Sequence, residues 1–148
     1  MPHRIIIING PNINLLGERE QSQYGKLTFS ELKKECLTFA QKENMEIEFY
    51  QSNVEGEIVT KIQDSRNQID GIIINAAGFT NSSVSIRDAL DIIKKPKIEL
   101  HISNIYNREE FRKKSLISDV VTGGIFGLGS QCYILAINAM HDLIINGN

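Results

Sequence analysis

Two runs of isoleucine set the limits on what this chain can become. Arg4 to Asn9 reads RIIIIN and Gly71 to Asn75 reads GIIIN. Both are short, β-branched and without the apolar–polar alternation of a strand that has one wet face, so each needs cover on both sides. Glu46 to Gln51 (EIEFYQ) and Lys97 to Ile102 (KIELHI) also read as strands, and a weaker fifth lies around Val120 to Phe126. Helical patterns fall at Thr28 to Glu43, Glu55 to Arg66, Ser85 to Lys94 and Ser130 to Ile145. The first opens on Thr28 with Glu31 three positions on, a spacing at which each side chain satisfies the other's backbone N–H. Strands alternating with helices imply right-handed βαβ crossovers and a parallel sheet covered on both faces. The expected fold class is α/β: a doubly wound five-stranded parallel sheet, for which the order 2-1-3-4-5 is common.

A length of 148 residues suits one domain, expected to span 1–148. The chain is 41% hydrophobic and 23% charged with a net charge of −2, and it lacks the blocks of like charge that grip nucleic acid or a membrane surface. No run approaches the ~18 apolar residues that span a bilayer, so a cytoplasmic location is expected. Cys36 and Cys132 fall on separate predicted helices and read as small core residues. His3, His101 and His141 are too scattered for a zinc cluster, and no metal or other cofactor is expected.

In a 2-1-3-4-5 sheet, ligands bind beyond the carboxyl ends of the strands near the switch between strands 1 and 3. That brings together three loops, NGPNINLLGEREQSQYG, NAAGFTNSS and HISNIYNREEFRKKS. The first exceeds the usual length of a connection in a small domain, which marks it as functional. None carries a nucleophile elbow, a phosphate loop or a dinucleotide fingerprint, which disfavours acyl transfer and dinucleotide binding. What they carry is Asn12, Arg19 and Tyr24, then Asn75 and Thr80 to Ser83, then His101, Ser103, Arg108 and Arg112. Cations and amides around a Tyr and a His suit an anionic substrate and proton transfer.

A phenol ionises near pH 10, so a tyrosine base at neutral pH needs a cation at its oxygen. A unit-charge pair at 4 Å contributes about 4 kcal/mol at an effective dielectric of 20, and Arg19 on the same loop is the evident donor. Spacing alone equally allows Tyr24 to pack on the first helix with Arg19 in solvent. Glu99, two residues before His101 on the same strand face, could hold one ring nitrogen and leave the other free. Alone, a His there also fits a structural hydrogen-bonding role. Arg108 and Arg112 could form a fork of donors for a carboxylate or hydroxylated ring, or pair with Glu109 and Glu110.

The stretches NGPNINLLGERE with YG shortly after, IRDAL, ELHISN, REEFR and GLGSQCYILA together resemble the type II 3-dehydroquinate dehydratases nearly end to end. The resemblance implies a flavodoxin-like subunit that converts 3-dehydroquinate to 3-dehydroshikimate in the shikimate pathway, with neither a metal nor a Schiff base. It assigns the base to Tyr24 as tyrosinate, supported by Arg19, and the acid to His101, oriented by Glu99. Asn12 would position a water on the enolate. Asn75 and the backbone amides of Ile102 and Ser103 would hold the substrate carboxylate, and Arg112 a ring hydroxyl. Arg108 would sit at the mouth. Asp88 would reach the site of a neighbouring subunit in a homododecamer, a tetramer of trimers.

The departures cluster after the third strand, where the family reads NPGAYTHTS or similar and this chain reads NAAGFTNSS. Asn81 stands in place of His, able to keep a hydrogen bond to a substrate hydroxyl if the loop moves inward, and Ala76 and Ala77 stand in place of Pro and Gly. Gly78 is expected to take over the positive φ that Ala77 adopts less cheaply. Cys132 replaces a usual Gly, expected to be a packing matter. The competing expectation is a flavodoxin-like anion-binding protein that has lost turnover through the altered 75–83 loop.

Overall fold

The computed structural model describes residues 1–147. Five strands, β1 (His3–Asn9), β2 (Met45–Gln51), β3 (Gly71–Asn75), β4 (Lys97–His101) and β5 (Gly123–Phe126), form one parallel sheet. Their order is β2-β1-β3-β4-β5, as the sequence implied. The helices are α1 (Gln21–Tyr24), α2 (Phe29–Lys42), α3 (Glu55–Ser65), α4 (Val84–Ile92) and α5 (Gln131–Asn146).

The isoleucine run explains itself in the packing. Successive strand residues face opposite sides of a sheet. Ile5 and Ile7 enter a core with Leu32 and Cys36 of α2 and Tyr133 and Ile137 of α5. Ile6 and Ile8 enter a second core with Ile58 and Ile62 of α3 and Ile86 and Leu90 of α4. All four are essentially inaccessible, and each buried isoleucine contributes about 1.5–3 kcal/mol. Cys36 and Cys132 are buried and unpaired.

Thr28 caps α2 with the reciprocal bonds its spacing foretold: Thr28 N–H donates to Glu31 Oε1 at 3.1 Å and Glu31 N–H to Thr28 Oγ1 at 3.2 Å. α4 starts earlier and ends sooner than its apolar pattern. Ser83 caps it by accepting from Ile86 N–H at 2.9 Å, and the ammonium of buried Lys97 donates to the carbonyls of Leu90 and Ile93, both at 2.8 Å. Residues 120–122, expected in the fifth strand, lie outside β5.

At the switch point β1 and β3 run side by side, and the chain leaving β1 crosses the end of β3. Gly10 N–H donates to Asn75 O at 2.8 Å. A Cβ at Gly10 would lie 2.3 Å from Ala76 O, so only glycine allows this approach. The loops after β1, β3 and β4 thereby share one floor.

Candidate active site

The long loop after β1 carries more structure than its sequence shows. A 3-10 turn at Ile13–Leu15 and the single-turn helix α1 occupy it, with Ile13 and Leu16 buried as anchors. Side chains at and just beyond the end of β2 pin its start. Asn12 N–H donates to Asn53 Oδ1 at 3.0 Å, and Gln51 Nε2 donates to Gly10 O at 3.2 Å. Asn12 itself is held at φ +71°, a conformation asparagine tolerates better than most residues.

The structure divides the expected cation role at Tyr24 between two arginines. Arg19 lies on the ring, its guanidinium carbon 3.9 Å from the centroid. The phenol oxygen is met instead by Arg108, whose Nη1 donates to it at 2.8 Å. Arg108 lines both the inner cavity and the open groove outside it; its side chain is 12% exposed, and it also donates to Ser103 Oγ at 3.2 Å. Arg112 keeps the alternative partner, Glu109, at 3.1 Å while its side chain still lines the cavity.

His101 and Glu99 form the anticipated pair, with Nε2 of the ring 2.6 Å from Glu99 Oε2. Both are buried. Two residues that the sequence did not flag complete the arrangement: Ser115 Oγ donates to Glu99 Oε2 at 2.9 Å and Ser118 Oγ to Glu99 Oε1 at 2.5 Å. Burial pushes the Glu99 carboxyl up, but the hydrogen bonds from His101, Ser118 and Ser115 and the charge of His101 outweigh it. Together they hold the group below the usual carboxylate range. Glu99 is thus a buried anion that fixes His101 through Nε2 and leaves Nδ1 uncommitted. Cys132 does more than fill space, since its thiol bonds to His101 O at 3.5 Å and accepts from Leu128 N–H at 3.4 Å.

The loop after β3 contradicts one expectation. Ala77 itself takes the positive φ, +52°, while Gly78 does not. The turn geometry is set by its surroundings, with Ala77 N–H donating to Asn75 Oδ1 at 3.2 Å, and the neighbouring glycine cannot relieve a strain belonging to position 77. Asn81 Nδ2 donates to Lys114 O at 2.9 Å, which ties this loop to the segment after β4.

These side chains surround a cavity of about 150 Å³. Asn12, Arg19, Tyr24, Asn75, Asn81 and His101 line it together with Ile102, Ser103, Arg108 and Arg112. Glu99 lies behind His101 rather than on the wall, and Asp88 stands exposed on α4, away from it. Among the described residues no group of three or more His, Cys, Asp or Glu is placed to hold a metal ion. A phenol with two guanidiniums and a carboxylate-held imidazole on one small cavity can move protons to and from an anionic substrate.

Comparison with known proteins points the same way. The sequence model of the family described as Dehydroquinase class II matches residues 3–141. The 3-dehydroquinate dehydratase of Endomicrobium trichonymphae is 52% identical over 95% of this chain and 99% of its own length, and that of a Nitratiruptor species is 49% identical over 95% and 90%. The crystal structure of type II dehydroquinase from Butyrivibrio crossotus superposes with a TM-score of 0.92 at 43% identity, covering 94% of this chain and 97% of that one. With its parallel 2-1-3-4-5 sheet and these matches along nearly its whole length, the chain belongs to the class II dehydroquinases.

Proposed function

We propose that this protein is a 3-dehydroquinate dehydratase that forms 3-dehydroshikimate through an enolate. One observation carries the chemistry: the Tyr24 phenol oxygen is held by Arg108 at 2.8 Å under a stacked Arg19, on the same cavity as an imidazole fixed by Glu99. A guanidinium donating to a phenol oxygen favours phenolate over phenol, because the charge-assisted bond is stronger than its neutral counterpart. The phenolate takes the C2 proton alpha to the ketone, and the electron pair moves onto the carbonyl oxygen as an enolate. Asn12 positions a water against that oxygen. His101, as imidazolium, protonates the departing C1 hydroxyl from Nδ1 while Glu99 holds Nε2. The enolate collapses, the C1–O bond breaks, and water leaves. Passing the proton gained by Tyr24 back to His101 resets the site.

Asn75 and the amides of Ile102 and Ser103 bind the substrate carboxylate, and Arg112 and Asn81 serve ring hydroxyls. Asn81 keeps one amide hydrogen on Lys114 O, so its Oδ1 is the group available as an acceptor. The reading extends to a cytoplasmic homododecamer, supported by the exposed position of Asp88 outside its own cavity. No helix among the described residues is long and apolar enough to cross a membrane.

The test is direct. Purified protein added to 3-dehydroquinate should produce a rise in enone absorbance, unaffected by exhaustive EDTA treatment. Borohydride added with substrate should leave the protein's mass unchanged. No absorbance change, or a stable adduct on a lysine, would reject the proposal.

A further inference from the structure

Tyr133 is the largest fully buried side chain of the molecule, and its hydroxyl takes no part in the proton transfers above. It projects from the start of α5 to the ends of β1 and β3. There its O–H donates to Asn9 Oδ1 at 2.6 Å, and its oxygen accepts from Asn75 Nδ2 at 2.9 Å. The bonds on either side make the direction of this chain unambiguous. Asn9 Nδ2 donates to Tyr50 O at 3.0 Å, which turns Asn9 Oδ1 toward the phenol. Asn75 Oδ1 accepts from Ala77 N–H at 3.2 Å, which turns Asn75 Nδ2 toward the phenol. With its only proton committed to Asn9, Tyr133 can serve Asn75 solely as an acceptor.

The consequence reaches the cavity. Asn75 is 3% exposed and lines the wall where the substrate carboxylate is proposed to bind. One of its two amide hydrogens is held by Tyr133, its oxygen is held by the backbone, and the second hydrogen has no partner among the described residues. Rotation of the amide would present an oxygen to the anion and an N–H to Ala77 N–H, both repulsive. We propose that Tyr133 is a positioning residue for anion recognition, locking Asn75 as a donor toward the substrate carboxylate through the Asn9–Tyr133–Asn75 chain. It rests on the proposed role of Asn75, and it adds a determinant of substrate affinity that touches no substrate atom.

A double-variant cycle tests it with Tyr133→Phe, Asn75→Ala and their combination, reading KM and kcat on 3-dehydroquinate. Equilibrium binding of 3-dehydroshikimate gives a readout that does not need turnover. Tyr133→Phe keeps the ring that packs 6.2 Å from Phe49 and removes only the hydroxyl. A bond to a charged group is worth about ten- to hundredfold in affinity, so Tyr133→Phe should raise KM and the product Kd roughly tenfold with kcat within about threefold. The combined variant should bind no more than about twofold worse than Asn75→Ala alone. Should Tyr133→Phe fail to fold, Asn9→Ala frees the phenol proton to turn on Asn75 and should weaken product binding in the same way. Losses that simply multiply, or a Tyr133→Phe protein with unchanged KM and Kd, would overturn the inference. An Asn75→Ala protein that binds as wild type does would overturn it together with the carboxylate site. Absence of turnover in the wild type would reject the dehydratase reading alone, with the binding cycle still deciding the role of Tyr133.

Discussion

Tyr24 and Glu99 show how much of this site depends on single groups held in place by hydrogen bonds from their neighbours. If the Tyr24 oxygen abstracts the proton, Tyr24→Phe should lower kcat at least roughly a thousandfold with the fold intact, and retention of more than a tenth of wild-type kcat would refute it. Arg108→Ala should lower kcat by more than Arg19→Ala does. The first guanidinium meets the oxygen and the second only the ring face. Equal losses would mean that the field rather than the hydrogen bond matters. Glu99 makes a prediction about stability. Its carboxyl is held below its unfolded value, so its ionised form stabilises the fold above the ordinary carboxylate pKa, and that stabilisation is lost as pH falls through the lowered folded value. Urea midpoints of wild type and Glu99→Gln should therefore differ most near neutrality and converge in acid. A gap that widened on acidification would contradict the sign. The sequence pointed to Glu99 and His101 because they lie two apart on one strand. It held no hint of Ser115 and Ser118, whose approach to Glu99 depends on how the chain after β4 folds back.

At the scale of elements, legibility followed the range of the interactions. The strands were readable because burial on both faces removes alternation, and α2 because its cap is set by residues three apart. The order of strands came from a general rule of βαβ geometry. The bond from Arg108 to Tyr24 was not legible because it joins residues 84 positions apart, a distance at which no spacing rule operates. Gly78 was credited with a positive φ on composition, whereas the turn is imposed by the bond from Ala77 N–H to Asn75. That strain is measurable. Left-handed backbone costs a non-glycine residue about 1–2 kcal/mol, partly offset in glycine by its greater unfolded-state entropy. Ala77→Gly should accordingly stabilise the protein by about 0.5–1 kcal/mol and raise Tm by a few degrees. A lower Tm would show that the Ala77 methyl, which packs against the α2–α5 core, contributes more than its backbone costs.

For the whole molecule, the proposed assembly makes activity depend on concentration. If Asp88 completes a neighbour's site, Asp88→Ala should raise KM in the assembled protein, and wild type diluted until light scattering reports dissociation should approach the same KM. A wild-type KM that does not change on dissociation would confine the site to one chain. The packing at the switch point also bears on how the protein ages. Asn9 precedes Gly10 and Asn146 precedes Gly147, the sequence in which a backbone nitrogen most readily attacks an asparagine side chain and releases ammonia. At Asn9 both reactants are restrained: the amide is tied to Tyr50 and Tyr133, and the Gly10 N–H is engaged by Asn75 O. At Asn146 the same two groups bond only within the last turn of α5, the amide to Asp142 and the Gly147 N–H to Leu143 O, and both residues are exposed at the helix end, where helices fray. Stored protein should deamidate at Asn146 first, whereas deamidation at Asn9 can proceed only when β1 and β3 come apart. The Asn9–Gly10 bond is thus a chemical clock for the opening of the core, and a ligand that tightens the site should slow it.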